Sequence, residues 1–210
     1  MAKIFGAFKT AVRVGFDPLG RALVRAGVSP DAITIIGTLG VVVAALVFAT
    51  RGRLLEATII ITLCALLDVL DGAMARARGR ASRFGALLDS TMDRVADGAI
   101  FAGLAYWLAV DDQHLTSVVC LVALVAGQVV SYVRARAEAA GFTCNVGIAE
   151  RMERLVTVGV GALITGFGGG DWGLALAMWL VAVASIITVV QRLLHVRAQD
   201  RRVPAAETAG

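Results

Sequence analysis

The chain has little of what many catalytic chemistries require. Its 210 residues include only 3 cysteines and 2 histidines. Cys64, Cys120 and Cys144 form neither an even-numbered disulfide framework nor a CxxC metal spacing, and the first two lie inside apolar runs as small hydrophobes. His114 and His195 are too few for a histidine zinc site or an imidazole proton relay. No Ser–His or Cys–His pair is visible to support a covalent intermediate. No internal repeat is evident, which argues against a secondary transporter. The first apolar run starts only at residue 32, after a basic stretch and with no small-residue cleavage pattern, so a secretory signal peptide is not expected and the first helix should be retained.

Apolar residues are abundant. They make up 58% of the chain, and mean hydropathy is +0.79, whereas soluble domains run at about 45–50% apolar. Ala32–Thr50 and Leu115–Val133 are uncharged runs of 19 residues, and Trp172–Gln191 is one of 20. Each is long enough to cross a hydrocarbon core of roughly 30 Å. Leu155–Gly170 is shorter and also uncharged. Leu54–Met74 and Gly85–Val110 are apolar but carry acids toward one end. These segments predict an all-α integral membrane protein with six transmembrane helices.

Basic residues orient it. Arg51 and Arg53 fall in an outer loop, and the other 18 of the 20 Lys and Arg fall in inner segments, so both termini are predicted on the cytoplasmic side of the cell membrane. Residues 3–26 alternate apolar and basic positions, with Pro18 interrupting the pattern. They read as an amphipathic segment on the inner membrane surface, or otherwise as a mobile basic arm. Ser29-Pro30-Asp31 marks a helix start. The expected division is an amphipathic juxtamembrane segment over 1–28, a six-helix catalytic domain over 29–197 and a disordered cytoplasmic tail over 198–210.

The informative stretch is residues 66–98, LLDVLDGAMARARGRASRFGALLDSTMDRVADG. A charge inside a membrane costs several kcal/mol, so intramembrane acids are functional candidates by default. Asp68 and Asp71 are three apart and Asp89 and Asp93 four apart, so each pair shares a helix face. Folding a hairpin about residue 80 places Asp71 and Asp89 nine positions either side, and Asp68 and Asp93 twelve and thirteen. Four facing carboxylates repel one another unless a cation lies between them. Oxygen donors alone suit Mg²⁺ or Mn²⁺, as one or two ions, and two-metal sites act on phosphoryl groups. Gly72 and Gly85 leave room beside the acids for a ligand or for a neighbouring helix. Arg76, Arg78, Arg80 and Arg83 surround the mouth, either to meet phosphate or simply to mark the inner side.

Asp68, Asp71, Gly72, Ala75, Arg76, Gly85, Asp89 and Asp93 resemble, without departure, the pattern of the CDP-alcohol phosphotransferases, D-x-x-D-G-x-x-A-R, eight residues, then G-x-x-x-D-x-x-x-D. The resemblance implies that Asp68, Asp71 and Asp89 ligate two Mg²⁺ or Mn²⁺ ions, and that Asp93 is the general base and a further ligand. It implies a CDP-lipid site made of Asp31, Ala32, Ile33, Thr34, Gly72, Arg76 and Ser82. FGALLDSTMDRVADGAIFAGL, SYVRARAEAAG and ERMER are similar to the actinobacterial phosphatidylinositol-phosphate synthase branch. That branch implies CDP-diacylglycerol as donor, an inositol phosphate as acceptor, a homodimer, and an acceptor-phosphate site at Ser131, Arg134, Arg154 and Arg192.

Arg134, Arg154 and Arg192 also sit near the inner ends of three different helices. Such a cluster suits a phosphorylated acceptor, although arginines snorkelling to the interface would look the same. A phosphatidylglycerophosphate synthase has a phosphorylated acceptor too and stays open as an alternative. A small transporter is the more distant one. Asp97 continues the acidic stripe one turn deeper, where it could orient a ligand residue or pair with an arginine of another helix.

Overall fold

Pro30 starts the first of the long helices. It occupies the first helical position, where its missing N–H is no loss, and Ser29 before it is extended (φ −83°, ψ 133°). The Ser29 hydroxyl makes no capping bond, although the sequence suggests one. With proline next in line, the turn has one fewer donor to satisfy. The computed structural model describes residues 17–78 and 82–201. Part of the expected amphipathic segment, the turn at 79–81 and the tail from 202 onward lie outside these residues.

All elements among the described residues are helical, and none is a strand. Residues 17–25 form α1, with Pro18 in its first described turn. Then follow α2 (Pro30–Val47), a short 3₁₀ turn (Ala49–Arg51), α3 (Leu54–Ala77), α4 (Arg83–Val110), α5 (His114–Ala139), α6 (Arg151–Ile164), a wide turn (Thr165–Gly169) and α7 (Trp172–Asp200). Each of the six apolar segments expected from the sequence falls on a helix, α2 to α7. Among the described residues, three stretches are long and apolar enough to cross a membrane: Pro30–Arg51, His114–Ala139 and Trp172–Asp200, with mean hydropathies of 2.5, 2.0 and 2.4. α6 has 14 residues and continues into the wide turn, where Gly168 at φ 81° leaves helical geometry. α7 reaches Asp200, three residues into the expected tail.

The outward faces are apolar. Ile36, Leu39, Val43 and Leu46 form an exposed stripe on α2, and Leu115, Val118, Val122 and Val125 form one on α5. Such faces suit lipid, and the chain is a membrane protein.

The chain divides into two units, Met1–Gly103 and Leu104–Gly210. In the first, α2 packs on α3 through small residues. A Cβ at Gly40 would come within 2.5 Å of Cys64 Sγ, and one at Gly37 would sit 3.4 Å from the Cys64 carbonyl, so glycine permits this close approach. α1 lies against the last turns of α3, where a Cβ at Gly20 would sit 3.0 Å from the Ala73 backbone. In the second unit, α5 and α6 each pack on α7. The loop between α5 and α6 is tied down along α7: Thr188 Oγ1 accepts from Ile148 N (3.2 Å) and Ala149 N (3.1 Å), and Gln199 Nε2 donates to Thr143 O (2.6 Å).

Candidate metal and phosphate sites

The acids lie on the C-terminal half of α3 and the N-terminal half of α4. Carboxylate oxygens of Asp68, Asp89 and Asp93 lie within 4.8 Å of one another. Asp71 stands beside this group. At 9% exposure it is the most buried of the four, it accepts a hydrogen bond from Thr34 Oγ1 on α2, and it is within electrostatic reach of Asp68 and Asp89. Helix geometry accounts for the split. A three-residue step turns Asp71 about 60° round α3 from Asp68, so one acid faces α4 and the other α2. Three carboxylates held this close fit a hard divalent cation, because their mutual repulsion needs compensation and every donor is oxygen.

The residues around the acids are ordered by short-range contacts. Ser82 Oγ accepts the Gly85 N–H at 2.7 Å and caps the start of α4. A Cβ at Gly85 would sit 2.9 Å from that hydroxyl and 3.5 Å from Asp31 Oδ1, which brings the first turn of α2 beside the first turn of α4. Asp31, Ala32, Ile33 and Thr34 all belong to the N-terminal end of α2. Among the described residues, the nearest atom to a Cβ at Gly72 would be Arg76 Nη1 at 3.5 Å. Arg76 Nη2 pairs with Asp17 of α1 at 3.2 Å, and Arg78 Nη2 donates to Val28 O at 2.8 Å. Asp17 was not singled out by sequence reasoning. No local signal in the sequence links Asp17 to Arg76, 59 positions away.

Deeper on α4, Arg94 Nη2 lies 3.8 Å from Asp93 Oδ2 and 3.7 Å from Asp97 Oδ2. Asp97 therefore pairs with an arginine of its own helix, a possibility the sequence reading did not raise.

The basic residues of the second unit gather around one stretch of α5 and the loop after it. Ser131 Oγ donates to Gly127 O at 3.3 Å. Gly127 makes space for Arg154, whose Nε would lie 3.1 Å from a Cβ there. Arg154 is 3% exposed and its Nη1 donates to Ala149 O at 3.2 Å. Arg134 is more open, with Nε donating to Glu138 Oε1 at 2.9 Å and Nη2 to Asn145 Oδ1 at 3.1 Å. Arg192 is 2% exposed. Its Nε donates to Val146 O at 2.8 Å and its Nη1 to Val130 O at 2.7 Å, and Nη2 lies 3.9 Å from Glu150. A buried guanidinium needs such acceptors, so Arg192 joins α5, α7 and the loop whatever else it binds.

The pattern of the CDP-alcohol phosphatidyltransferase family matches residues 27–201. A phosphatidylinositol phosphate synthase of Mycobacteroides abscessus is 51% identical over 182 residues, 86% of this chain and 83% of that protein. Two crystal structures of the Mycobacterium tuberculosis phosphatidylinositol phosphate synthase superpose on the fold at 44% identity. The one with CDP-DAG bound has a TM-score of 0.83 and covers 91% of this chain and 96% of the other. The one in complex with manganese and citrate has a TM-score of 0.82 and covers 91% of each.

Proposed function

The chain belongs to the CDP-alcohol phosphatidyltransferase family, and on that premise we propose that it moves the phosphatidyl group of CDP-diacylglycerol onto a hydroxyl of an inositol phosphate, giving phosphatidylinositol phosphate and CMP. The convergence of Asp68, Asp89 and Asp93 within 4.8 Å carries the reading. Relatives named for this reaction, one holding CDP-DAG and one holding manganese, support it.

Asp68, Asp71, Asp89 and Asp93 would hold Mg²⁺ or Mn²⁺, as two ions, whose Lewis acidity neutralises a diphosphate. Thr34 fixes Asp71 through its hydroxyl. Asp93 takes the proton of the attacking hydroxyl. The freed oxygen bonds to the phosphorus that carries diacylglycerol. The bond from that phosphorus to the CMP oxygen breaks, and CMP leaves with the electron pair. Asp31, Ala32, Ile33, Thr34, Gly72, Arg76 and Ser82 line the CDP side. Gly72 lets the lipid-linked diphosphate approach, and Arg76 supplies a guanidinium fork to it. Ser131, Arg134, Arg154 and Arg192 hold the acceptor phosphate. Arg134 is the most exposed of the three arginines, and the two buried ones add positive potential while fixing the loop.

In this reading α2 to α7 are six spans of the plasma membrane. Both termini and the site face the cytoplasm, residues 17–28 lie along the inner surface, and the working form is a homodimer. The basic residues, concentrated on one side, support the orientation.

Purified protein given CDP-diacylglycerol with equal inositol phosphate and glycerol phosphate should yield mainly phosphatidylinositol phosphate by mass spectrometry. Mainly phosphatidylglycerophosphate would reassign the acceptor, and no CMP from either would reject the transferase.

A further inference from the structure

Residues 142–150, between α5 and α6, are neither helix nor strand, so their main-chain N–H and C=O groups must find partners elsewhere. Thr188 of α7 meets two of them. Its hydroxyl is fully buried and donates its own proton to Ala184 O at 2.8 Å, one turn back along the helix. Both lone pairs remain, and they accept from Ile148 N at 3.2 Å and Ala149 N at 3.1 Å. The methyl of Thr188 is engaged as well. Gly147 has φ 136°, and a Cβ there would come within 2.4 Å of Thr188 Cγ2. Glycine is what lets the loop pass this close to α7.

The same stretch of loop reaches each arginine given to the acceptor phosphate. Asn145 Oδ1 accepts from Arg134, Val146 O from Arg192 and Ala149 O from Arg154. Thr188 grips the loop among these contacts, and it lies four positions before Arg192, on the same face of α7. We propose that Thr188 is a positioning residue for the acceptor: by fixing residues 147–149 it sets where the guanidinium groups of Arg154 and Arg192 stand. It touches no substrate in this account and acts through the loop. Valine has the same shape without the hydroxyl. With valine there, two N–H groups lose their acceptor and the loop shifts to find others, carrying the Val146 and Ala149 carbonyls with it. The proposal rests on the acceptor assignment made above and adds to it an uncharged residue.

The test compares the two substrates on the full-length protein in detergent, with turnover followed as CMP release. Thr188→Val should raise the KM for inositol phosphate about tenfold, the factor that goes with displacing a charge-assisted hydrogen bond. The KM for CDP-diacylglycerol should stay within about twofold. Thr188→Ser, which keeps the hydroxyl, should recover most of the loss. Amide exchange at Ile148 and Ala149 should rise in the valine variant and not in the serine one. Gly147→Ala pushes the same segment off Thr188 from the other side and should show the same acceptor-selective loss, so the matter is decided even if Thr188→Val fails to fold. A wild-type KM for inositol phosphate in Thr188→Val would overturn the proposal. So would an equal loss toward both substrates, or a serine variant no better than the valine one. If glycerol phosphate proves to be the acceptor, the same comparison is made with it. Wild-type protein that transfers to neither acceptor sinks the function proposed above and this proposal with it, whereas a working wild type indifferent to Thr188→Val sinks this proposal alone.

Discussion

Asp68 and Asp71 lie about 60° apart round α3, and at the scale of a residue that offset matters. It directs Asp68 toward α4 and Asp71 toward α2, where the Thr34 hydroxyl meets it. The motif was legible because i, i+3 and i, i+4 spacings are properties of any helix. Which acid would face which neighbour was not legible, because Thr34 is 37 positions from Asp71 and nothing local links them. Asp93 is the residue on which turnover depends most. Asp93→Asn keeps the shape and loses the base, so kcat should fall about 10²–10⁴-fold, with CDP-lipid still bound. CMP release and a CDP-diacylglycerol binding assay on the same preparation check this. Retained turnover would remove Asp93 as base.

At the scale of elements, loops are held by contacts that join distant parts of the chain. Arg192 of α7 donates to Val130 of α5, 62 positions away, and to Val146 in the loop, 46 away. From the sequence it reads as one more basic residue at an inner helix end, and only the packing shows that main-chain carbonyls use its donors. Arg192→Met should therefore leave buried carbonyls without a partner and destabilise the protein by about 2–3 kcal/mol, seen as a lower thermal midpoint in detergent. Amide exchange should rise over residues 143–149. A variant with unchanged exchange there would show that the loop is held without Arg192. Arg76 makes the same point in the first unit. Its partner Asp17 is 59 positions away, on α1.

For the whole molecule, the metal is the component whose removal should reach furthest. The acidic group draws on α3 and α4, two helices that follow one another in the chain. Chelation should abolish CMP release, and either Mg²⁺ or Mn²⁺ should restore it. It should also lower the thermal midpoint, because ligands that bind only the folded state stabilise it. Undiminished activity in excess chelator would remove metal from the mechanism.

Composition and spacing alone determined that this is an all-helical membrane protein, placed its helices within a few residues, and marked Asp68, Asp71, Asp89 and Asp93 as a group. Hydrophobic length and helical period are local quantities, readable in a window of some twenty residues. Tertiary structure alone decided that Thr34 secures Asp71, that Arg94 stands between Asp93 and Asp97, that Asp17 holds Arg76, and that Arg192 joins α5, α7 and a loop. Most of these are contacts between residues far apart in the chain. Arg94 lies beside these two acids in sequence, but which way its side chain turns is not a matter of spacing. No local pattern encodes either kind of contact.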